Sequence, residues 1–300
     1  MPFIRTGNVF NDRRILIATI VVIFVVFLTI IGLVIYFYTT KNNEENEGNP
    51  SGVTSSTSSP QTNSLSPIAG ATIRADLAAG PAVSLYRQWY DGDGTYYGSE
   101  GEGTCQISKT NLPTAARNTK YLVALNSEQF MNSAACGMCF RLKANGTGLG
   151  SDPIKGDFII FVKDLCPECT AGDIDLAEDG DGRWDISIQA VQCPVGNTFI
   201  EYWLQGSNAF YLKLQVRNTR VPCNKVEVQA KNGQWTQMKL SKDGHWEGSA
   251  AFNPAGDVPV RLTSITGAVV NDIIPKLDNQ VVMEGKLRVQ FPIVSSLPYA

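Results

Sequence analysis

The longest apolar run in the chain, Ile15–Tyr38, contains no charged residue. At about 1.5 Å rise per residue, a helix of this length reaches roughly 36 Å, enough to span a hydrocarbon core of about 30 Å. The run ends in bulky aromatic residues, whereas a signal-peptide cleavage site requires small ones. The pattern therefore predicts an uncleaved transmembrane helix at residues 15–38.

Charges on either side of this run predict its orientation. Arg5, Arg13 and Arg14 precede it, and the segment that follows carries three glutamates and one lysine. Because positive charge stays on the cytoplasmic side, residues 1–14 form a cytoplasmic tail. We therefore expect a single-pass type II membrane protein with most of its chain at the cell surface. Whether the outer part is later shed stays open.

A polar segment at residues 39–84 follows the apolar run. Most of it is Ser, Thr, Asn, Gly and Pro, with few side chains to bury, which is typical of an extended and O-glycosylated stalk. Further on, Asn145 begins the single Asn-x-Thr sequon, inside a glycine-rich stretch. We predict that Asn145 is an exposed N-glycosylation site.

Beyond the stalk, hydrophobic residues come in short runs with a period of two. Leu212, Leu214 and Val216 alternate with polar neighbours, which predicts a strand with one buried face. Asn232-Gly233 stands between two such runs and indicates a hairpin turn. This pattern predicts a mainly β chain built as a barrel or sandwich.

Two other features organise this β region. The segment Asn126–Asn132 predicts one short helical turn capped by Asn or Ser. The segment Cys193–Asn197 divides the region into two parts, each of an ordinary domain size.

Net charge bears on possible partners. The chain has a formal net charge of −3 and a pI near 5.3. A balance this acidic argues against a nucleic-acid partner, which needs a basic surface. Nothing in the sequence indicates a cofactor.

All seven cysteines lie beyond the predicted membrane helix. Cys136 and Cys139, and then Cys166 and Cys169, are spaced as Cys-x-x-Cys pairs, which are typical of zinc sites. The 26 residues between the pairs exceed the roughly 15–20 expected for zinc, and the outer side of a membrane is oxidising. We therefore predict disulfides and no metal site. Because seven is odd, one thiol stays free or pairs between chains.

Five short motifs carry a family resemblance. They occur along the chain in the order "DGTYYG", "ACGMC", "VKDLCPEC", "GDIDL" and "FYLKLQVRN". Together they resemble the expansins, most closely the microbial expansin-like proteins, over about Tyr90–Phe291. The resemblance implies a six-stranded double-psi β-barrel at 85–194, an immunoglobulin-like β-sandwich at 195–294 and a tail at 295–300. It also implies loosening of walls without hydrolysis, with cellulose and related cell-wall glucans as partners and no cofactor.

The resemblance assigns roles to residues of the barrel. Thr95 matches a groove threonine of the family, and Asp164 matches a groove aspartate. Asp175 matches the aspartate on which loosening activity depends, and Tyr97 lies beside them as a substrate contact. Cys166 occupies a position where some microbial members have a groove tyrosine.

In the second domain, Phe210 and Tyr211 stand where the family has two stacking tryptophans. Neighbours in a regular strand point to opposite faces, so both can line one face only if the strand begins there or bulges. The family has a third stacking residue, and together the three form its sugar-binding platform. The third position is Asp243 in this chain, with Trp246 close by in sequence as a replacement. Trp203 and Trp235 are rival candidates for this platform. His245, in a hairpin-like segment, is predicted to be a solvated turn residue.

The family pattern also implies disulfide pairings. Cys105 would pair with Cys136, and Cys139 with Cys193. Cys166 and Cys169 can pair locally, which leaves Cys223 free.

The residue types bear on whether a bond is cleaved. Inverting glycosidases need an acid and a second carboxylate that activates water, about 6.5–9.5 Å apart. Asp175 can serve as the acid, but the motif around Thr95 offers no matching base. The residues therefore favour loosening without hydrolysis. Two alternatives remain: a membrane-anchored endoglucanase or lytic transglycosylase with Asp175 as the acid, and a non-catalytic cellulose-binding adhesin.

Overall fold

The structure is a computed structural model that describes residues 81–99 and 101–300. The predicted cytoplasmic tail 1–14, the transmembrane helix 15–38 and nearly all of the stalk 39–84 lie outside the described residues. Within the described part, no helix is long and apolar enough to cross a membrane.

The first half of the described chain is a closed barrel of six strands. Around the barrel the strands follow the order β1-β5-β2-β4-β3-β6, and β6 pairs again with β1. The mainly β prediction and its six-stranded barrel are confirmed. The strands are β1 (Tyr90–Tyr96), β2 (Tyr121–Asn126), β3 (Cys139–Leu149), β4 (Lys155–Cys166), β5 (Ile174–Leu176) and β6 (Arg183–Val191).

The barrel interior is filled by side chains from alternate positions of its strands. Along β6, Trp184, Ile186 and Ile188 are buried, while Arg183 and Asp185 between and before them are exposed. Successive side chains of a strand point to opposite faces, so every second residue enters the interior. Burial of these apolar side chains supplies the main driving force for closing the barrel.

The described residues include four short helical segments: α1 (Pro81–Ser84), which precedes β1, and then α2 (Thr114–Arg117), α3 (Ser127–Phe130) and a 3₁₀ turn (Met131–Ser133). The predicted helical turn is confirmed as α3. Its N-cap is Asn126, whose Oδ1 accepts a hydrogen bond of 3.0 Å from the backbone N–H of Gln129. This bond satisfies one of the donors that a helix start leaves unpaired.

The second half forms two antiparallel sheets. The four-stranded sheet has the order β10-β9-β13-β14, and the five-stranded sheet has the order β11-β12-β8-β7-β15. Their strands are β7 (Glu201–Leu204), β8 (Tyr211–Arg217), β9 (Cys223–Gln229), β10 (Trp235–Gln237), β11 (Lys239–Leu240), β12 (Trp246–Ser249), β13 (Val258–Ser264), β14 (Val269–Ile274) and β15 (Val282–Glu284).

The hairpin predicted at Asn232-Gly233 joins β9 to β10, with Gly233 at φ +84°. The alternation predicted along β8 holds only at first. Leu212 and Leu214 are fully buried, whereas Val216 is half-buried.

The last part of β8 departs from simple alternation because the barrel covers its other face. Gln215 Nε2 donates to the carbonyl of Cys105 (2.6 Å), and Arg217 Nη1 donates to the carbonyl of Asn111 (2.8 Å). Gln215 and Arg217 are therefore buried although they lie on the face opposite Leu214.

A second set of contacts across this interface caps helix α2. The N–H of Thr114 and its hydroxyl both donate to Glu201 on β7, the hydroxyl at 2.5 Å. The N–H of Ala115 donates to Asn218 Oδ1 at 2.8 Å. The helix start in the barrel thus finds its hydrogen-bond acceptors in the second half of the chain, which fastens the two halves together.

Three disulfides connect the barrel loops. Cys105 pairs with Cys136, Cys139 with Cys193 and Cys166 with Cys169, as the resemblance implies. Cys139–Cys193 closes the longest loop, 54 residues, and in the chain-entropy account such a closure stabilises the fold by about 4 kcal/mol. Cys223 is the one free cysteine.

Candidate functional site

Strand pairing brings Thr95 and Asp175 together. β1 and β5 run parallel, and their register places Thr95 directly beside Asp175. The Thr95 hydroxyl donates a hydrogen bond of 2.7 Å to Asp175 Oδ1. Both side chains are half-buried, so they lie at the surface of a groove and not inside the barrel.

An irregularity in β4 positions Asp164. Val123 of β2 pairs with Val162, but the next residue, Ala124, pairs with Asp164, so β4 contains one extra residue, Lys163. A bulge of this kind reorients the side chains that follow it. Lys163 is buried, and its ammonium group donates to the carbonyl of Gly101 at 2.9 Å.

The loop after Gly101 closes over Asp164. Asp164 Oδ1 accepts hydrogen bonds from the N–H groups of Thr104 (2.6 Å) and Leu165 (2.8 Å). Gly103 has φ +62°, and a Cβ there would lie 2.7 Å from Asp164 Cγ. Only glycine fits this close approach, because the φ and the space both exclude a side chain.

Tyr97 completes the group that the resemblance brings together. Its ring is 38% exposed, which leaves a face available to a ligand. Burial raises the pKa of Tyr97, and the adjacent Asp164 carboxylate, which accepts a hydrogen bond from the phenol, raises it further. Tyr97 therefore stays a neutral donor at all physiological pH values.

The environment of Asp175 favours its protonated form. Partial burial raises the pKa of Asp175 above the ordinary aspartate value, and the negative charges of Glu168 and Asp164 add to this effect. The hydrogen bond from Thr95 and the charge of Arg183 oppose it without reversing it. Burial away from water disfavours a charged carboxylate, and nearby like charges do the same.

Two other aspartates of the groove are held by neighbours. Asp93 Oδ2 accepts from Arg183 at 2.7 Å. Asp173 accepts from the N–H groups of Asp93 and Thr170 and from the Thr170 hydroxyl. These hydrogen bonds give Asp173 a structural role in the loop.

Sequence reasoning missed Glu168. It is exposed, lies between the paired Cys166 and Cys169, and lines the groove with Asp175 and Arg183. The tight loop closed by the disulfide holds this glutamate where its charge acts on Asp175. A carboxylate within a Cys-x-x-Cys loop beside the matched "GDIDL" motif is the signal that could have identified it.

On the second half of the chain, Phe210 and Tyr211 stand at a strand start. β8 begins at Tyr211, and Phe210 immediately before it is 73% exposed. The Tyr211 hydroxyl donates to Glu247 Oε2 at 2.7 Å, and burial together with this carboxylate raises the pKa of Tyr211 to about 12. Because Phe210 lies just outside the regular strand, its ring is not forced to the face opposite Tyr211.

Two predictions next to this surface are wrong. Trp246 is only 9% exposed, because it alternates with Glu247 and faces the core, so it presents no stacking face. His245 is fully buried, beside Asp243 and Gln215, where burial lowers its pKa to about 4. It is packed inside as a neutral ring and is not a solvated turn residue.

The two other tryptophans named as rivals lie in different sheets. Trp203 is on β7 of the five-stranded sheet, with the Arg217 guanidinium 4.6 Å from its ring centre. Trp235 is on β10 of the four-stranded sheet, with Arg261 at 4.5 Å. Both rings are half-buried.

Asn145 lies in β3, and its exposed side chain accepts a hydrogen bond from the Thr147 N–H. It is accessible to a modifying enzyme, and its glycosylation stays a prediction. In residues 81–99 and 101–300, no group of three or more His, Cys, Asp or Glu side chains is arranged to hold a metal ion.

Comparison with known proteins gives relatives of one family. No family model matches the chain. Expansin-YoaJ of Bacillus subtilis (strain 168) is 32% identical over 140 residues, which cover 44% of this chain and 59% of that protein. Expansin-like protein 3 of Dictyostelium discoideum is 25% identical over 205 residues, covering 63% of this chain and 57% of that protein. The chain thus spans less than two thirds of either relative.

Solved structures share the fold. The apo form of an expansin from Clavibacter michiganensis superposes with a TM-score of 0.55 at 22% identity, over 69% of this chain and 100% of that one. A mutant of that expansin in complex with cellohexaose gives the same values. The chain is therefore similar to expansins in sequence over part of its length, and it shares their fold, with a closed six-stranded barrel that brings Thr95, Tyr97, Asp164 and Asp175 close together.

Proposed function

We propose that this protein loosens networks of cell-wall polysaccharide, cellulose and related glucans, without hydrolysing them. The observation that carries this proposal is the half-buried Asp175. Its environment favours its protonated form, and its Oδ1 accepts a hydrogen bond from the Thr95 hydroxyl. Two relatives carry the expansin name, and a related structure holds cellohexaose, which supports a glucan as the ligand.

The proposed step is a competition between hydrogen bonds. Protonated Asp175 donates to a glucan oxygen that would otherwise accept a hydrogen bond from a neighbouring chain. Tyr97, with its exposed ring and neutral hydroxyl, holds the sugar against the groove. Each exchanged hydrogen bond is worth only about 0.5–1.5 kcal/mol, so chains separate one contact at a time.

Hydrolysis would need a base in addition to this acid. Thr95 occupies the neighbouring strand position and is itself a hydrogen-bond donor to Asp175, so it activates no water. Asp93 Oδ2 already accepts a hydrogen bond from Arg183 at 2.7 Å, so this oxygen is not free to bind a water molecule. Glu168 is an exposed carboxylate of the same groove and is the candidate base for a hydrolytic mechanism.

The second half of the chain supports the binding part of the proposal. Its two sheets are consistent with an immunoglobulin-like sandwich at about residues 195–294, after a barrel domain at about 85–194. We propose that Phe210 and Tyr211 stack on the apolar faces of glucose rings, while Tyr211 and Glu247 contact sugar hydroxyls.

The activity itself is tested by creep of a cellulosic wall under constant load. We expect wild-type protein to extend the wall at acidic pH and to lose this activity as pH rises through the Asp175 pKa, because a raised pKa keeps the proton-donating form populated to higher pH. Asp175→Asn should abolish creep at every pH and leave binding to cellulose unchanged. Asp185→Asn, which replaces an exposed carboxylate on β6, is the matched control and should give the same wall creep as wild type.

Sugar release decides between loosening and hydrolysis in the same experiment. The proposal requires that no reducing ends accumulate while the wall extends. Reducing ends that disappear in Glu168→Gln would show a hydrolase with Asp175 as acid and Glu168 as base. Equal creep by wild type and Asp175→Asn would contradict the proposed role of Asp175.

Binding is tested by replacing the exposed rings. The double variant Phe210→Ala/Tyr211→Ala should bind cellulose about tenfold more weakly, because two stacking contacts of about 0.5–1.5 kcal/mol each are lost. Leu149→Ala, which removes an 84% exposed apolar side chain from the barrel, is the control and should bind as wild type does. If the double variant binds cellulose as tightly as wild type does, Phe210 and Tyr211 are not the stacking surface.

We also propose that residues 15–38 anchor the protein in a membrane with residues beyond 38 outside the cell. The support is the uncharged run and the arginines before it. Protease added to intact cells should digest the part after Tyr38 and spare the N-terminal tail. An N-terminal sequence that begins near Ser51 in membrane-bound protein would rule out this topology.

A further inference from the structure

A cleft of about 640 Å³ lies where the barrel meets the five-stranded sheet. The barrel contributes a polar side to it, including Glu102, Thr110 and Arg117. The sheet contributes the ring of Trp203 with Gln205 and Gln280 next to it. The lining is mostly polar and includes one aromatic ring, a combination that suits a ligand with many hydroxyl groups and an apolar face.

Strand register places Trp203 on the same sheet face as Tyr211. Trp203 of β7 pairs with Gln215 of β8. Gln215 and Tyr211 are four residues apart in one strand, so their side chains point to the same side. Tyr211 and Trp203 therefore belong to one face, separated by roughly 13 Å along the strand direction at about 3.3 Å per residue.

Polar side chains fill the space between the two rings. Lys213, midway between Tyr211 and Gln215, donates to Gln205 Oε1 at 2.8 Å and pairs with Asp243 at 2.6 Å. These groups form a hydrogen-bonding strip that connects the Phe210–Tyr211 surface to the cleft. Donors and acceptors of this kind match the hydroxyl edges of a sugar, and the rings at either end match its apolar faces.

Arg217 holds the Trp203 ring in place. Its guanidinium lies over one face of the ring and donates to Gln215 Oε1 (2.6 Å) and to the carbonyls of Asn111 and Gln106. A side chain with these partners has little freedom, so Trp203 is oriented before any ligand arrives. Such preorganisation reduces the entropy lost on binding.

One loop of the barrel contributes to both the cleft and the surroundings of Asp164. Glu102 belongs to the loop whose Gly103 and Thr104 close over Asp164. One side of this loop therefore faces the groove residues, and the other faces the cleft.

We propose that this cleft is a further subsite for a single glucan chain, with Trp203 as its stacking ring and Glu102 and Arg117 as partners for sugar hydroxyls. The inference rests on the proposed function, because it assigns a second contact surface for the same class of substrate. It extends the sugar-binding surface from the Phe210–Tyr211 end of the five-stranded sheet to the barrel groove.

The test measures cellohexaose binding by titration calorimetry. Full-length protein is used in a detergent without a sugar headgroup, since a maltoside would compete for stacking rings. Trp203→Ala should weaken binding roughly three- to tenfold, and Trp203→Phe, which keeps a ring, should lose no more than about twofold. Trp235→Ala is the matched control, because Trp235 is also half-buried under an arginine but lies in the other sheet. It should bind as wild type does.

A second measurement needs no substitution. Tryptophan oxidation by N-bromosuccinimide, followed by peptide mass spectrometry, should be slowed at Trp203 by cellohexaose and unchanged at Trp235. This result would support the subsite even if Trp203→Ala failed to fold.

The outcomes separate this inference from the proposed function. If wild type binds cellohexaose and Phe210→Ala/Tyr211→Ala weakens it, but neither Trp203→Ala nor oxidation at Trp203 differs from the Trp235 control, the cleft is not a subsite and the proposed function stands. If wild type binds no glucan at all, both are overturned.

Discussion

Closure of the barrel at β1 is the constraint on which the rest of the site depends. β1 pairs with β5 on one side and with β6 on the other, so its position is set by both neighbours. The parallel register with β5 then places the Thr95 hydroxyl against the Asp175 carboxyl group. A slip of β1 by one residue would turn Thr95 away from Asp175, because side chains alternate along a strand. The chemistry of the groove is therefore a consequence of barrel closure.

Buried hydrogen bonds at the junction between the barrel and the sheets hold the two halves of the described chain together. Gln215 and Arg217 are buried under the barrel, and Glu201 holds the start of α2. Charged and amide groups buried with complete hydrogen bonding specify one arrangement, since any other would leave them unpaired. These contacts fix the groove with Asp164 relative to the sheet face with Tyr211.

Features that depend on near neighbours in the chain were predictable. The cap at Asn126 and the turn at Asn232-Gly233 follow from local backbone preferences, and the structure contains both. The alternation that predicts β strands also depends only on adjacent residues. The motifs around Thr95 and Asp175 were recognisable because short sequences surround each of them.

Features that depend on distant partners were not predictable. Trp246 and His245 lie in a turn-like segment, yet both are buried, because the core and the barrel cover them from far away in sequence. The extra residue Lys163, which shifts the register of β4, is set by its partner strand β2. Glu168 acts on Asp175 only because the folded loop brings it near. Local patterns carry no information on such contacts.

The central claim is that the groove keeps the Asp175 carboxyl group protonated to a higher pH than an ordinary aspartate. Carbon-13 NMR titration of the Asp175 carboxyl measures this directly. The account predicts a midpoint above about 3.9, the value of an unperturbed aspartate. It also predicts a further rise in Thr95→Val, because the Thr95 hydrogen bond favours the charged form. A midpoint at or below the unperturbed value in wild type would contradict the account.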